Sequence, residues 1–223
     1  MRNIFSKLAV ALSASLISVS ASAYEEVDLK KLQEKAHAEA KKFDGGAEAF
    51  QYLHKVATHP RCMNCHGQIV NEVHVPTVGD SLKPHPMNIT SKIPELGMDC
   101  TGCHQKQNLP GKHMPPGAAN NLMPTFLWHM PQESMILSKD MSQQDLCELW
   151  TDNVKNKNRG SLDDLVKLRK EFMHHVEADP LIHWTFNPGN GRTPAPGSRE
   201  KLVGAMDVWI SWLEQGHDCS ELP

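Results

Sequence analysis

Two pentapeptides carry the most specific chemistry in this chain: Cys62-Met-Asn-Cys65-His66 and Cys100-Thr-Gly-Cys103-His104. Two thiols three positions apart can each form a thioether with a vinyl group of one porphyrin, and the adjacent imidazole can bind the iron from below. Each motif therefore predicts one covalently held haem c. Cys62, Cys65, Cys100 and Cys103 are the attachment points, and His66 and His104 the proximal ligands. Two Cys-x-x-Cys pairs could instead form a four-thiolate zinc ribbon, or a single pair a thioredoxin-like dithiol. The 34 residues between the pairs exceed a usual ribbon spacing, a His follows both pairs, and no strand and helix setting for a redox dithiol surrounds them.

An iron that only passes electrons needs a sixth ligand, whereas an open position admits substrate or gas. Eleven of the 13 His lie outside the motifs. Most informative are the neighbours His174 and His175, which a helix points about 100° apart. Leu165, Leu168 and Phe172 continue at spacings of three and four to His175, while Lys167, Lys170 and Glu171 lead to His174. His175 is thus the inward-facing candidate, with a hydrogen-bonded core histidine as the alternative. His85 with Met87 and His129 with Met130 sit beside prolines, whose stiff backbone lowers the entropy lost when a ligand is held. His74, and His113 with Met114, are weaker candidates. A Met ligand would raise the potential relative to two His. Arg61 and Arg192 could pair with haem propionates, or simply be solvated.

The elements that must position these groups read as mainly α. Helices are expected over 27–43, over 47–58 running directly into the first motif, from Ser142 through Trp150, from a Ser161/Asp164 capping box to Ala178, and from Ser198 to Gly216. The stretch 67–131 is dense in Pro, Gly and Asn and reads as loop, as does Asn187-Pro-Gly-Asn-Gly-Arg-Thr-Pro-Ala-Pro-Gly197. Only 33 residues separate His66 from Cys100, too few for two cytochrome domains. The expected architecture is therefore a single di-haem cytochrome c domain over 24–223, with long irregular loops wrapping two neighbouring haems. Four of the six cysteines serve the haems. Cys147 and Cys219 then form a disulfide, or remain as buried thiols, or provide a thiolate ligand.

Arg2 and Lys7, an apolar stretch from Leu8 to Val19 and Ala21-Ser22-Ala23 read as a signal peptide over residues 1–23. That stretch is shorter than the roughly 20 residues that span a bilayer. Cleavage predicts an exported, periplasmic chain without a membrane span, in an oxidising compartment. It removes two of 23 basic residues and no acid, leaving 21 against 26 acidic, a net charge of −5. That balance, which haem propionates would make more negative, argues against nucleic acid and favours docking on a basic protein surface. The partners expected of a haem carrier are redox proteins, an electron donor and an electron acceptor.

The segments His59-Pro-Arg-Cys-Met-Asn-Cys-His66, His85-Pro-Met-Asn88, Cys100-Thr-Gly-Cys-His-Gln105, Trp128-His129 and Asp179-Pro-Leu-Ile-His-Trp184, with the 187–197 loop, form a combined signature. From about residue 58 to 219 the chain resembles bacterial exported cytochromes described as isoquinoline 1-oxidoreductase subunit-like proteins. The resemblance implies His66 and His104 as proximal ligands. It also puts His85, His129 and a His within 171–175 at positions suited to distal ligation. Such relatives read Asp-Gly-His near the first haem loop, whereas this chain has Gly79-Asp80-Ser-Leu-Lys-Pro-His85. The resemblance further implies a donor of the molybdenum hydroxylase class. The expected function is electron transfer between a periplasmic dehydrogenase and a downstream acceptor, without catalysis. The alternative is a haem enzyme, such as a peroxidase, with one open high-spin iron.

Overall fold

The computed structural model describes residues 29–98, 100–117 and 130–223. The expected signal peptide over 1–23 and the candidate ligand His129 lie outside the described residues. The chain is mainly helical: α1 (Leu29–Ala40), α2 (Gly46–Ala57), α3 (Pro60–His66), α4 (Gln143–Thr151), α5 (Leu165–Ala178), α6 (Pro180–Phe186) and α7 (Arg199–Glu214). Among the described residues no helix is long and apolar enough to cross a membrane.

Helix α7 is the organising element because it is apolar on more than one face. It packs against α1, α2 and α5, burying Leu202, Val203, Ala205, Met206, Trp209, Ile210 and Leu213. Gly204 is where α1 comes closest: a Cβ there would stand 2.6 Å from the Ala36 carbonyl oxygen, inside contact distance. Trp209 is fully buried and meets Phe50, Trp150 and Phe172 at ring-centroid distances of 5.0, 5.6 and 6.4 Å. Tilted and edge-on aromatic pairs of this kind add specific geometry to a large apolar burial.

The helix starts follow local capping chemistry. Ser142 forms a full capping box with Asp145 at the head of α4, and the Ser198 hydroxyl accepts from the Lys201 N–H at the head of α7. Helix α5 differs from expectation. Its N-cap is Asp164, which accepts from Lys167 N, while Ser161 forms an isolated bridge with Asp164. A carboxylate placed at the first turn satisfies the orphan amides and the helix dipole together, so the box shifts by one turn. Helix α2 also stops short of the first motif. His59 intervenes in an extended conformation, and its ring accepts from Arg61 N to open the separate α3, with Pro60 as its first residue.

The region read as loop contains two small antiparallel hairpins. Strand β1 (Gln68–Val70) pairs with β2 (Val73–Val75), and β3 (Thr77–Val78) pairs with β4 (Lys83–Pro84). These strands are two or three residues long, too short for periodicity to reveal them.

A disulfide joins Cys147 on α4 to Cys219, across a sequence separation of 72. Closing a loop of this length is worth about 4 kcal/mol in the chain-entropy model. The double variant Cys147→Ala/Cys219→Ala is therefore expected to lose stability of that order. A fall in the denaturant midpoint with an unchanged visible spectrum would show the bond to be a staple only.

Candidate haem-binding site

The first motif lies along α3, so Cys62 and Cys65 fall one turn apart on one helix face, with His66 closing the helix. That face looks into an apolar slot built from four other helices. Leu53 and Val56 come from α2, Phe172 and Val176 from α5, Ile182 from α6 and Met206 from α7. The slot is partly open to solvent. Burial pushes the thiols of Cys62 and Cys65 up to about 12. It pushes His66 down to about 4, so the ring stays neutral and keeps the lone pair that a metal ligand needs.

His175 also lines this slot. It is not enclosed in the helix core, as the spacing suggested; Val176 takes the buried place, and the His175 side chain is 44% exposed. It faces His66 instead, with the ring centroids 6.3 Å apart. Two imidazoles bound on opposite sides of one metal, at about 2 Å each, place their ring centroids roughly 6.3 Å apart. Both Nδ1 atoms are engaged elsewhere. His66 Nδ1 bonds the Met135 carbonyl at 2.6 Å, and His175 Nδ1 pairs with Asp179 at 3.2 Å. Nε2 is therefore the ring nitrogen left for a metal on both residues, as is usual when an outer partner sets the tautomer.

The second motif repeats the pattern in a more open setting. It begins on a 3₁₀ turn at Cys100, and the His104 N–H bonds the Cys100 carbonyl at 2.8 Å, closing one helical turn across the motif. His85 lies 6.3 Å from His104, centroid to centroid. Burial lowers the pKa of both rings. His104 Nδ1 donates to the Pro116 carbonyl at 2.9 Å. His85 Nδ1 instead receives the Met87 N–H at 3.3 Å. A ring nitrogen that accepts leaves the proton on Nε2, so ligation through Nε2 requires His85 to give up this long bond. A charge on Cys100 would help to raise the Cys65 thiol, after burial and Asp179, so the two motifs lie within electrostatic reach of each other.

The 187–197 loop clamps both motifs. Asn108 Nδ2 donates to the Pro188 carbonyl, while its Oδ1 accepts from Gly117 N and from the Trp184 indole. Asn190 bonds the Leu109 carbonyl. On the other side, Arg61 donates from Nε to the Thr193 carbonyl at 2.8 Å and from Nη1 to Asn64 at 2.9 Å, and it pairs with Asp80. Its side chain is 4% exposed. Of the two arginines that could pair with propionates or be solvated, Arg61 is buried among these protein acceptors, and Arg192 bonds the carbonyls of Pro188 and Met114. Arg61→Ala removes a buried charge that ties α3 to the β3–β4 hairpin and the loop. A loss of about 3 kcal/mol is expected, readable in the denaturant midpoint.

His74 packs at the end of the first motif. It is fully buried against Gly67, which adopts φ +32°; a Cβ there would lie 2.7 Å from His74 Nε2. Only glycine fits directly after the first motif. His113 is exposed. Among the described residues no group of three or more His, Cys, Asp or Glu side chains is arranged to hold a bare metal ion. The two imidazole pairs are the arrangements present, and a haem iron asks only two ligands of the protein. Comparison with protein-family models, with curated proteins and with solved structures gives no match.

Proposed function

We propose that the chain is an exported two-haem c-type electron carrier, taking electrons from a periplasmic dehydrogenase and passing them to a downstream acceptor. One observation carries this reading: each Cys-x-x-Cys-His motif has its His opposite a second His, at a 6.3 Å centroid separation that suits one iron between them. The haems would supply reversible one-electron chemistry at iron. The protein's own residues do the rest. Cys62 with Cys65, and Cys100 with Cys103, would anchor the groups, His66 and His104 would ligate from the motif side, and His175 and His85 from the other. The Met135 and Pro116 carbonyls hold the motif imidazoles in one orientation. The resemblance to isoquinoline 1-oxidoreductase subunit-like cytochromes supports a molybdenum hydroxylase as the donor class.

A haem enzyme with one open iron has a single observation on its side, the Nδ1 atom of His85, which accepts a backbone N–H. The readings separate under carbon monoxide. The dithionite-reduced protein is expected to show no spectral change under this gas. A carbon monoxide adduct on either haem favours the enzyme.

A further inference from the structure

The two candidate haem positions match on the motif side and differ on the other. Both motif imidazoles donate to a backbone carbonyl, at 2.6 Å for His66 and 2.9 Å for His104. Opposite them, His175 Nδ1 meets a carboxylate oxygen of Asp179 at 3.2 Å, whereas His85 Nδ1 meets the amide of Met87.

Asp179 is held from three directions. Its side chain caps α6 by accepting from Leu181 N at 2.8 Å. Its backbone N–H bonds the His175 carbonyl, and its own carbonyl receives Arg199 Nη2 at 3.3 Å. The side chain is 15% exposed, so the carboxylate is fixed and partly shielded. One charge on the capping residue thus does two jobs, opening α6 and orienting the His175 ring.

The apolar slot around the first motif favours whichever state of the iron carries less net charge, the reduced one, and so raises its potential. A carboxylate on the outer nitrogen makes an imidazole a stronger donor and favours the oxidised state. Resting on the carrier reading, we propose that Asp179 is a positioning residue that selectively lowers the reduction potential of the haem between His66 and His175, offsetting its burial. Among the described residues His85 Nδ1 has no equivalent carboxylate contact and meets the Met87 N–H instead, so the balance is built into one haem only.

The test is optical potentiometry on the haem-loaded wild-type protein and its Asp179→Asn variant. Asn keeps an oxygen to cap α6 but removes the charge. One of the two waves is expected to move upward by about a tenfold change in its equilibrium constant, about 59 mV for one electron. The other wave should stay in place, and both haems should remain low spin. The wave that moves should belong to the haem whose spectrum His175→Ala alters, and Asp179→Glu should return it part of the way. Should the Asn variant fail to carry two haems, Asp179→Ser, which also keeps a cap acceptor, is read in the same way. Unmoved waves, equal movement of both, or movement of the other haem alone would overturn the proposal. A wild-type protein that binds carbon monoxide would instead overturn the carrier reading, so the two failures are distinguishable.

Discussion

His175→Ala is expected to convert one haem from low spin to high spin and open it to carbon monoxide, leaving the other unchanged. The argument is geometric. His175 sits on α5 across the slot from His66, and its Nδ1 is engaged by Asp179, so its Nε2 is the atom that would reach the iron. The adjacent His174 points elsewhere on the helix surface and does not line the slot, so His174→Ala should leave the spectrum intact. The pair of variants therefore separates ligation from a general loosening of α5. His175 is partly exposed, so its removal creates little cavity in the helical core, and the chain should stay folded. Half of the absorbance change seen on full denaturation of the haem ligands is the expected size of the effect.

The second large effect concerns the attachment cysteines. Cys62→Ser/Cys65→Ser and Cys100→Ser/Cys103→Ser are each expected to lower the haem count per chain from two to one, with unequal structural consequences. The slot beside Cys62 and Cys65 is walled by α2, α5, α6 and α7, all joined through the buried face of α7. A haem there would fill an apolar space that the helices otherwise leave open, so losing it removes much of the burial that holds them together. The second motif lies in the loop region, with Cys103 exposed, and the contacts that hold its surroundings include Asn108 with the α6 residue Trp184 and Asn190 of the 187–197 loop. The first double variant should therefore melt well below the second. Circular dichroism melting at 222 nm measures the difference, and equal melting temperatures would contradict the asymmetry.

The two motifs, the mainly helical class and the caps at Ser142 and Ser198 were legible in the sequence because each rests on a residue type at a fixed local spacing, whereas the Cys147–Cys219 disulfide, 72 residues apart, was one of several readings of the two cysteines left over from the motifs. Helix α6 was not, although Asp179-Pro180 carries a start signal of N-cap followed by proline; seven residues give too little periodicity to outweigh the prolines around them. Helix α3 escaped for a similar reason, being only as long as the motif it carries. The period of α5 put His175 on the inward face with Leu168 and Phe172, but Val176 takes the buried place and His175 is exposed. That period could not separate a core position from a slot-facing one, since Val176 and His175 are neighbours and tertiary packing decides which is covered. Least visible was the role of the 187–197 loop. Its glycines and prolines declare irregular backbone, but the hydrogen bonds by which Pro188, Asn190 and Thr193 hold both motifs are long-range, and no local pattern encodes them.

Electron paramagnetic resonance of the oxidised wild-type protein, combined with a haem count, is the most direct test of two bis-histidine haems. The expected result is two haems per chain and only low-spin ferric signals, one altered selectively by His175→Ala and another by His85→Ala. A high-spin ferric signal from the wild-type protein, or a count other than two, would contradict it.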